Sequence, residues 1–469
     1  MSDTVSSSDH EHGLFKRIRG YSSLVTVEPI AFLFILNIYC EYAMVQDMIS
    51  TRLCMNINIT QDTNCDKFTL PIKDRERLSR EQAMQMTYYM GIFSGCAILA
   101  SLFTGSWSDS IGRKPSMMLP SLLGIPAEIL FALASFTLTK DWSLILVYFA
   151  AFFNGISGGT ATFFSSCFGY IADVTNTENR TKRLTFLEAC IFIGGFIGYN
   201  LAGLLMQYVL YKHYEYAFAF NLILHVVIVI YVNFCLKETR GKFASIKPDD
   251  CRPQEPDANL ASVGLFSFNH VSSMFRTIFK KRPSRLKILL LCLCSICSFY
   301  AMSVQLTLTF SFVKSTPINW TSSTYSYYSG FGFMAGGLSL LIILPFIYHW
   351  KPHIPDKVIG CLGLSSKGIG LLNLGLAKTS EQVFLGVGLF SFGEYTMPAL
   401  RSMLSKAIET HERGKAFSFL GLLQNISSFT GSLFFPPIYA SSQAFFPGLA
   451  FEVTALAQFL ALIILILAF

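Results

Sequence analysis

The side chains that could do chemistry in this chain are ionisable residues inside long apolar segments. They are Glu41, Asp47, Glu128, Glu188, His225, Lys367, Glu394 and Arg401. A charge in such a segment is costly, so it usually faces a cavity or a partner. A carboxyl group there can take up and release a proton, and a cation can attract an anion. No nucleophile and base stand on facing segments, so these residue types favour proton and anion binding over enzymatic catalysis.

The acids differ in where they lie along their segments. Glu188 is about one turn into its segment, where it either binds a proton or simply favours the helix dipole. Glu394 precedes Arg401 by seven residues, which is about two turns on the same helix face, so both could line one path. Glu41 is a further cavity-facing candidate for proton binding. Asp47 is close to the outer end of its segment, and we expect it to be solvated.

The cations suggest where an anion would bind. Lys367 is near the middle of its segment, too deep for its ammonium group to reach the surface. A functional role, either attraction for an anionic substrate or charge pairing with an acid, is therefore favoured over a purely structural buried pair. Arg401 is either a bidentate clamp for a carboxylate or a cation at a helix C-terminus that reaches the cytoplasmic interface. For His225, a hydrogen-bonded core residue is favoured over a proton relay.

The composition places these residues in a membrane protein. The 469-residue chain is 52% hydrophobic and 14% charged, whereas soluble domains carry about 25% charged residues. Basic cytoplasmic loops explain the net charge of +7, so the lipid bilayer is the expected partner and no nucleic acid is predicted. The polar residues 1–20 lack the apolar core of a cleaved signal peptide. No ATP-binding or zinc-protease motif occurs in the sequence.

About twelve apolar stretches have the roughly 20-residue length that crosses a bilayer. We number them spans 1 to 12 and predict them at residues 24–48, 84–105, 116–138, 143–170, 184–207, 216–236, 286–312, 324–348, 357–377, 382–403, 416–440 and 449–469. The predicted organisation is a cytoplasmic tail, an N-terminal six-helix half, a cytoplasmic linker and a C-terminal six-helix half, at residues 1–23, 24–236, 237–285 and 286–469. Lys and Arg are enriched in the loops that cytoplasmic termini would place inside.

An internal repeat supports the two halves. Residues 180–187 read RTKRLTFL after span 4, and residues 413–420 read RGKAFSFL after span 10. Arg, Lys, Phe and Leu coincide at one constant offset, at the same place in each half. Parallel repeats around a central site are typical of secondary transporters.

The sequons and cysteines bear on the outer surface. Asn58 and Asn319 begin Asn-X-Thr sequons in outer loops and are candidate glycosylation sites. Cys54 and Cys65 share the large outer loop, where they either form a local disulfide or stay free. Cys292, Cys294 and Cys297 have near-metal spacing, but they lie in an apolar helix without a nearby His or acid. We interpret these three as packing residues and predict no metal site.

The loop between spans 2 and 3 carries a recognisable string. Residues 105–115 read GSWSDSIGRKP, with Gly105, Asp109, Gly112, Arg113 and Lys114 at the positions of interest. Glycines let two helix ends approach closely, the acid can cap a helix or pair with a cation, and the cations favour the cytoplasmic side. The string resembles the loop signature of the major facilitator superfamily, in which this loop takes part in gating.

Further strings resemble solute carrier family 46, which includes the proton-coupled folate transporter and a lysosomal relative. They are VEP at 27–29, CFGYIAD at 167–173, FLEA at 186–189, STP at 315–317 and LRSMLSK at 400–406. The resemblance runs over nearly the whole chain and implies proton-coupled transport of organic anions.

The resemblance also implies residue roles. It ties Glu188 to proton coupling and Arg401 to substrate and proton binding. Two positions depart from the folate transporter, because Met302 replaces a histidine and Gly159 falls where that protein has an acid; folate itself is therefore in doubt. Asn319 stands where the family has a cysteine, which leaves Cys54 and Cys65 to pair locally or to stay free.

Together the sequence predicts an all-α, twelve-span transporter of the major facilitator fold that works by alternating access. Glu188, with Glu41 or Glu394, would couple transport to protons, and no cofactor beyond the coupling proton is expected. Arg401 and Lys367 would attract a small organic anion, and the family resemblance implies the folate, sulfated steroid, peptidoglycan-fragment or drug-catabolite class. The plasma membrane is expected, with the lysosomal membrane as the alternative. The different class left open is a membrane sensor or scaffold that does not transport.

Overall fold

The computed structural model describes residues 26–57, 72–110, 112–137, 142–175, 177–209, 213–239, 268–315, 317–351, 354–409 and 412–468. Over these ranges every regular element is a helix. The prediction of an all-α protein is therefore confirmed.

The helices of the N-terminal half follow the predicted order. Spans 1, 2 and 3 are the helices Glu28–Ile57, Ile72–Ser110 and Arg113–Phe136. Span 4 consists of the two helices Ser143–Ile156 and Gly159–Val174. Span 5 is Thr177–Leu204, continued by a π-helical turn, Leu205–Val209, and span 6 is Tyr214–Cys235.

The C-terminal half begins after a short helix, Phe268–Phe279, in the predicted linker. Span 7 is Arg285–Lys314, and span 8 is Ser322–Leu338 and Leu344–Trp350 around a π-helical turn, Ser339–Ile343. Span 9 is Asp356–Gly375, and span 10 is Ser380–Ser391 and Thr396–Ala407 around the 3₁₀ turn Phe392–Tyr395. Spans 11 and 12 are Arg413–Ser442 and Leu449–Ala468.

These helices match a membrane protein of twelve spans. Eleven of them are long and apolar enough to cross a bilayer, counted over the described ranges. Span 11 supplies the twelfth, because its 30 residues extend about 45 Å at 1.5 Å per residue. The chain is thus a multi-pass membrane protein.

Several helices run beyond the predicted spans. Span 1 continues to Ile57 and span 2 begins at Ile72, because a helix that leaves the hydrocarbon can continue with polar residues in water. The prediction that Gly105 lies in the loop is wrong. The span 2 helix continues to Ser110, and span 3 begins at Arg113, so Gly105 is inside a helix and the turn is very short.

Span 4 was predicted as one continuous segment but has a break. Gly158 and Gly159 have φ angles of 76° and 55°, a left-handed conformation that favours glycine. A Cβ on Gly159 would also lie 3.0 Å from the ring of Phe93. Glycine at these two positions therefore allows the break, and at Gly159 it also allows close packing on span 2.

The packing of the helices shows the symmetry of the repeat. Within the halves, span 1 packs on span 5, span 3 on span 6, span 7 on span 11, and span 9 on span 12. Between the halves, the main pairs are spans 2 and 11 and spans 5 and 8. Span 8 is the counterpart of span 2 in the second half, and span 5 is the counterpart of span 11 in the first, so the two pairs are equivalent. This exchange is the pattern expected of two parallel repeats around a central axis.

Candidate functional site

Glu188 and Arg401 come from opposite halves and are close enough to interact electrostatically. Glu188, on span 5, is partly buried, and Arg401, on span 10, is exposed although it lies within a membrane-spanning helix. An arginine that remains solvent-accessible inside a span points to an opening between the halves, and Glu188 is near enough to act on it electrostatically.

The position of Glu188 along its helix differs from the prediction. The span 5 helix begins at Thr177, so Glu188 is its twelfth residue, about three turns in rather than one. The helix dipole acts mainly on the first turn. The structural alternative for Glu188, a simple dipole contact, therefore loses its support.

Glu394 lies on span 10, like Arg401, in the C-terminal half. It belongs to the 3₁₀ turn that interrupts span 10, and its side chain is exposed. A Cβ on Gly336 of span 8 would lie 3.0 Å from Cγ of Glu394, so the glycine makes room for the acid. Tyr39 of span 1 interacts with Glu394 electrostatically. Glu394 thus stands where spans 1, 8 and 10 approach each other.

Aromatic rings fill the space beside these two acids. Phe192 is one turn beyond Glu188, and its ring centroid is 6.4 Å from that of Phe333. Tyr39 lies 4.4 Å from Phe333 and 5.1 Å from Tyr199, between ring centroids. Phe192 would also be 3.5 Å from a Cβ on Gly336, next to Glu394. Sequence reasoning missed this aromatic cluster, because Phe is abundant along the whole chain.

Lys367 is placed differently from Arg401. Its side chain is only 7% exposed, and its methylene groups pack against Gly393, where a Cβ would lie 3.4 Å from Cγ of Lys367. Among the described residues it has no hydrogen bond or ion pair. The described contacts do not join Lys367 to Glu188 or Arg401, so its role in substrate binding stays a prediction.

Glu41 lies in a second polar cluster, inside the N-terminal half. Asn154 of span 4 donates a hydrogen bond of 2.8 Å to Oε1 of Glu41. Glu128 of span 3 and His225 of span 6 complete the cluster, with ligand atoms of the three residues within 4.8 Å of one another. The prediction that His225 is hydrogen-bonded is wrong, since neither ring nitrogen has a partner in the described chain.

Asp47 is buried rather than solvated, so that prediction is wrong as well. It is 6% exposed, because the outer ends of spans 1, 6, 7 and 8 converge on it. Tyr214 donates a 2.7 Å hydrogen bond to Oδ2, and the Ser322 hydroxyl donates to Oδ1. Nζ of Lys314 lies 3.9 Å from Oδ1. Asp47 therefore links the two halves at the outer surface.

Other hydrogen bonds close the same outer side. Tyr42 donates to the carbonyl oxygen of Leu306 over 2.6 Å. Ser79 of span 2 donates to the carbonyl oxygen of Ser311 over 2.7 Å, and its oxygen is 2.8 Å from the Tyr439 hydroxyl. Each of these bonds crosses from one half to the other. The halves are thus joined above the cavity that exposes Arg401.

The loop between spans 2 and 3 is held by two acids. Arg113 donates through Nε to Asp173 over 3.1 Å. The Glu238 carboxylate accepts from the backbone N–H groups of Arg113 and Lys114, over 2.8 and 3.1 Å. Gly112, with φ 139°, leaves no space for a Cβ, which would lie 2.5 Å from Glu238.

Sequence reasoning missed Glu238 as part of this loop. The sequence does show an acid soon after the end of span 6, on the membrane surface where span 3 begins. A carboxylate at that place can stabilise the N-terminus of span 3. The side chain of Asp109 lies outside the described residues, so the pairing predicted for Asp109 stays a prediction. In the second half, Nζ of Lys406 lies 2.6 Å from Oδ2 of Asp356, an ion pair at the equivalent surface.

The outer-loop predictions are only partly within the described residues. Asn58 and Cys65 lie outside them. Cys54 is disulfide-bonded, and its partner is none of the other described cysteines, which are free thiols; pairing with Cys65 stays a prediction. The amide of Asn319 is held by Arg75 and by the carbonyl oxygen of Pro317, over 3.2 and 3.1 Å. Its glycosylation stays a prediction too.

Twelve spans in two repeats, with an acid and a cation from opposite halves close enough to interact, are typical of secondary membrane transporters. The chain belongs to the Major Facilitator Superfamily, whose family model matches residues 78–432. It is thus a member of a transporter family rather than an enzyme.

Two curated relatives are solute carrier family 46 members. The lysosomal proton-coupled steroid conjugate and bile acid symporter SLC46A3 of Gallus gallus is 26% identical over 448 residues, which cover 92% of this chain and 91% of the relative. The proton-coupled folate transporter of Rattus norvegicus is 25% identical over 454 residues, covering 94% and 91%. The human organic anion transporter MFSD10 has the same fold, with a TM-score of 0.62 at 16% identity over 94% of this chain and 98% of that one.

Proposed function

We propose that this protein is a proton-coupled symporter of a small organic anion. The observation that carries the proposal is the electrostatic interaction of Glu188 and Arg401, which come from opposite halves. An acid and a cation in one cavity can bind a proton and an anion at adjacent points. The names of the two curated relatives, both proton-coupled carriers, support the same mechanism.

The pair of Glu188 and Arg401 provides a way to couple the movement of a proton to the movement of an anion. When Glu188 is ionised it attracts the guanidinium of Arg401 and competes with an anionic substrate. When Glu188 takes up a proton, that competition ends, and Arg401 can hold a carboxylate or sulfate by two parallel hydrogen bonds. Proton and anion would therefore bind together and leave together. Glu41 and Glu394 are the further candidates for proton binding.

The surroundings of the pair suggest the shape of the substrate. Aromatic ring faces lie near Glu188, from Phe192, Tyr39 and Phe333. A ligand with a fused or aromatic ring system and an acidic group would use both features. A sulfated steroid fits this description best, and folate-like compounds and peptidoglycan fragments follow. Met302 in place of a histidine weighs against folate itself.

The contacts between the halves suggest the transport cycle. The outer side is closed by Asp47, Lys314, Tyr42 and Ser79, whereas Arg401 is exposed. We infer a conformation that is open to the cytoplasm, from which the halves would rock to open the outer side. Lys367 would add positive potential near the cavity. The plasma membrane is the proposed location, and the lysosomal membrane is the alternative.

Uptake of labelled organic anions into cells that express the full chain tests this function. We expect faster uptake at acidic than at neutral outside pH, and loss of the acid stimulation in Glu188→Gln at matched surface level. Glu381→Gln is the matched control, because Glu381 is exposed at the outer end of span 10. Acid-stimulated uptake that persists in Glu188→Gln would contradict the assigned site.

A sensor or scaffold gives a different result in the same assay. Such a protein would show no uptake at either pH despite confirmed surface expression, and it would tolerate neutralisation of Glu188 and Arg401. Because a lysosomal exporter could also fail to load cells from outside, uptake is repeated in vesicles of lysosomal membrane. Absence of transport in both systems would refute the transporter function.

A further inference from the structure

A buried polar cluster lies inside the N-terminal half, apart from the pair formed by Glu188 and Arg401. Glu41, Glu128 and His225 stand on spans 1, 3 and 6, with exposures of 6%, 0% and 3%. One ligand atom of each lies within 4.8 Å of the others. It is unusual for three helices to bring three titratable side chains into one buried cluster within the membrane.

The two carboxyl groups are neighbours in this cluster. Carboxylate oxygens of Glu41 and Glu128 lie within 4.8 Å of each other, and neither oxygen of Glu128 has a hydrogen-bond partner among the described residues. No lysine or arginine of the described chain forms an ion pair with either group. Two adjacent negative charges without a counter-ion are strongly disfavoured in such a pocket. A proton between the two carboxyl groups removes one charge and provides the missing hydrogen bond.

We propose that Glu41 and Glu128 share one proton and form a second proton site, with His225 beside it as the group that accepts the proton on release. Nε2 of His225 lies 3.9 Å from Oε1 of Glu128. Both ring nitrogens lack partners in the described part of the chain, so the imidazole has a free lone pair. The site extends the proposed proton coupling, but its protonation does not depend on transport.

Every other group that faces the pair is neutral. Asn154 of span 4 donates to Glu41, and Asn221 of span 6 lies beside Glu128. Cys40 on span 1 and Tyr89 on span 2 are the remaining titratable groups that interact with the acids. With His225 neutral, the protonated pair therefore carries a single negative charge, which the Asn154 amide stabilises.

The helix backbone is adapted to this arrangement. Gly124 is one turn before Glu128 on span 3, and a Cβ there would lie 2.5 Å from Nε2 and Cε1 of His225. The missing side chain lets the imidazole reach the carboxyl groups. Glu41 also directly precedes Tyr42, whose hydroxyl bonds to Leu306 in the other half. Span 1 therefore carries both a member of the pair and a contact that closes the outer side.

The same residues form a ligand set for a divalent cation, and the geometry favours the proton. A metal such as zinc needs its ligand atoms at about 2.0–2.2 Å and usually four of them. Here only three residues of the described chain are available, and their ligand atoms lie within 4.8 Å of one another. A proton fits this geometry without movement of the helices.

Infrared spectroscopy of the purified full chain in lipid vesicles tests the shared proton directly. A protonated carboxyl group has a carbonyl stretch that shifts in heavy water and is absent from a carboxylate. At neutral pH we expect this band in the wild type, and the loss of one carboxyl equivalent per chain in both Glu41→Gln and Glu128→Gln. Glu188→Gln is the matched control, and the band of the pair should remain in it.

Three results would overturn the assignment. The first is a wild type without such a band at neutral pH, which needs no variant and therefore holds even if the glutamine variants fail to fold. The second is a band that is unchanged in both Glu41→Gln and Glu128→Gln, when size-exclusion chromatography shows them intact. The third is one equivalent of zinc, added as zinc chloride, that stays bound in the wild type and not in Glu128→Gln. Loss of acid-stimulated transport in Glu188→Gln alone would leave the shared proton standing.

Discussion

Replacement of Arg401 should weaken substrate binding by an amount that its surroundings define. Truncating one partner of a buried charge pair costs about 2–5 kcal/mol. Arg401 is exposed to the cavity, so water screens its interaction and the lower end applies. About 2 kcal/mol corresponds to about a 30-fold change in affinity. For Arg401→Ala we therefore expect KM for the best anion of the panel to rise about 30-fold.

A lysine at the same position separates charge from geometry. Arg401→Lys keeps a positive charge but loses one of the two parallel hydrogen bonds that a guanidinium makes with a carboxylate or sulfate. One charge-assisted hydrogen bond contributes about 1.5 kcal/mol, so KM should rise about tenfold. The expected order of affinity is wild type, then Arg401→Lys, then Arg401→Ala.

The assay is the initial rate of uptake over a range of anion concentrations at acidic outside pH, normalised to surface protein. Arg77→Gln is the control, because Arg77 lies on the outer surface in an exposed pair with Glu81 and should leave KM unchanged. An Arg401→Ala protein with wild-type KM would refute the reasoning that the guanidinium holds the substrate. Equal KM for lysine and arginine would show that a point charge is sufficient.

Three further predictions concern the ends of the spans. Asp47→Asn should weaken the link to Lys314 and increase labelling of a cysteine introduced in the cavity by an impermeant thiol reagent; unchanged labelling would contradict the outer closure. Glu238→Gln should lower stability by about 1 kcal/mol, because a carboxylate at the N-terminus of span 3 is lost, measured as a lower melting temperature in detergent. Burial alone would raise the pKa of Glu412, but hydrogen bonds from Arg282 and Lys280 hold that pKa below its ordinary value. Its stabilising effect should therefore be present near neutral pH and decline as the pH falls through the lowered pKa, and Glu412→Gln should lack this decline.

The fold could be predicted because a bilayer restricts the structures that can cross it. Length and apolar composition locate the spans, and the internal repeat indicates the two halves. The ends of the helices could not be predicted in this way, since polar residues such as those after Thr177 continue a helix once it leaves the hydrocarbon. The depth of Glu188 in its helix follows from that extension and changes the interpretation of the residue.

The partners of the charged residues were the least predictable part of the site. Asp47 was expected in water because it lies near a span end, but three other spans converge there and bury it. Glu128 and His225 were each considered singly, and their meeting with Glu41 depends on how spans 1, 3 and 6 pack. A single sequence gives the position of a residue along its helix and not the helix that faces it.

The charges are divided unequally between two halves that are otherwise repeats. Span 3 holds Glu128, whereas span 9, its counterpart six spans later, holds Lys367. The N-terminal half contributes Glu188 and the pair of Glu41 and Glu128, and the C-terminal half contributes Arg401. On our proposals, protons bind mainly to one half and the anion to the other. A rocking movement that separates or joins the halves then changes the interaction of both ligands at once, which is the physical requirement for coupling their transport.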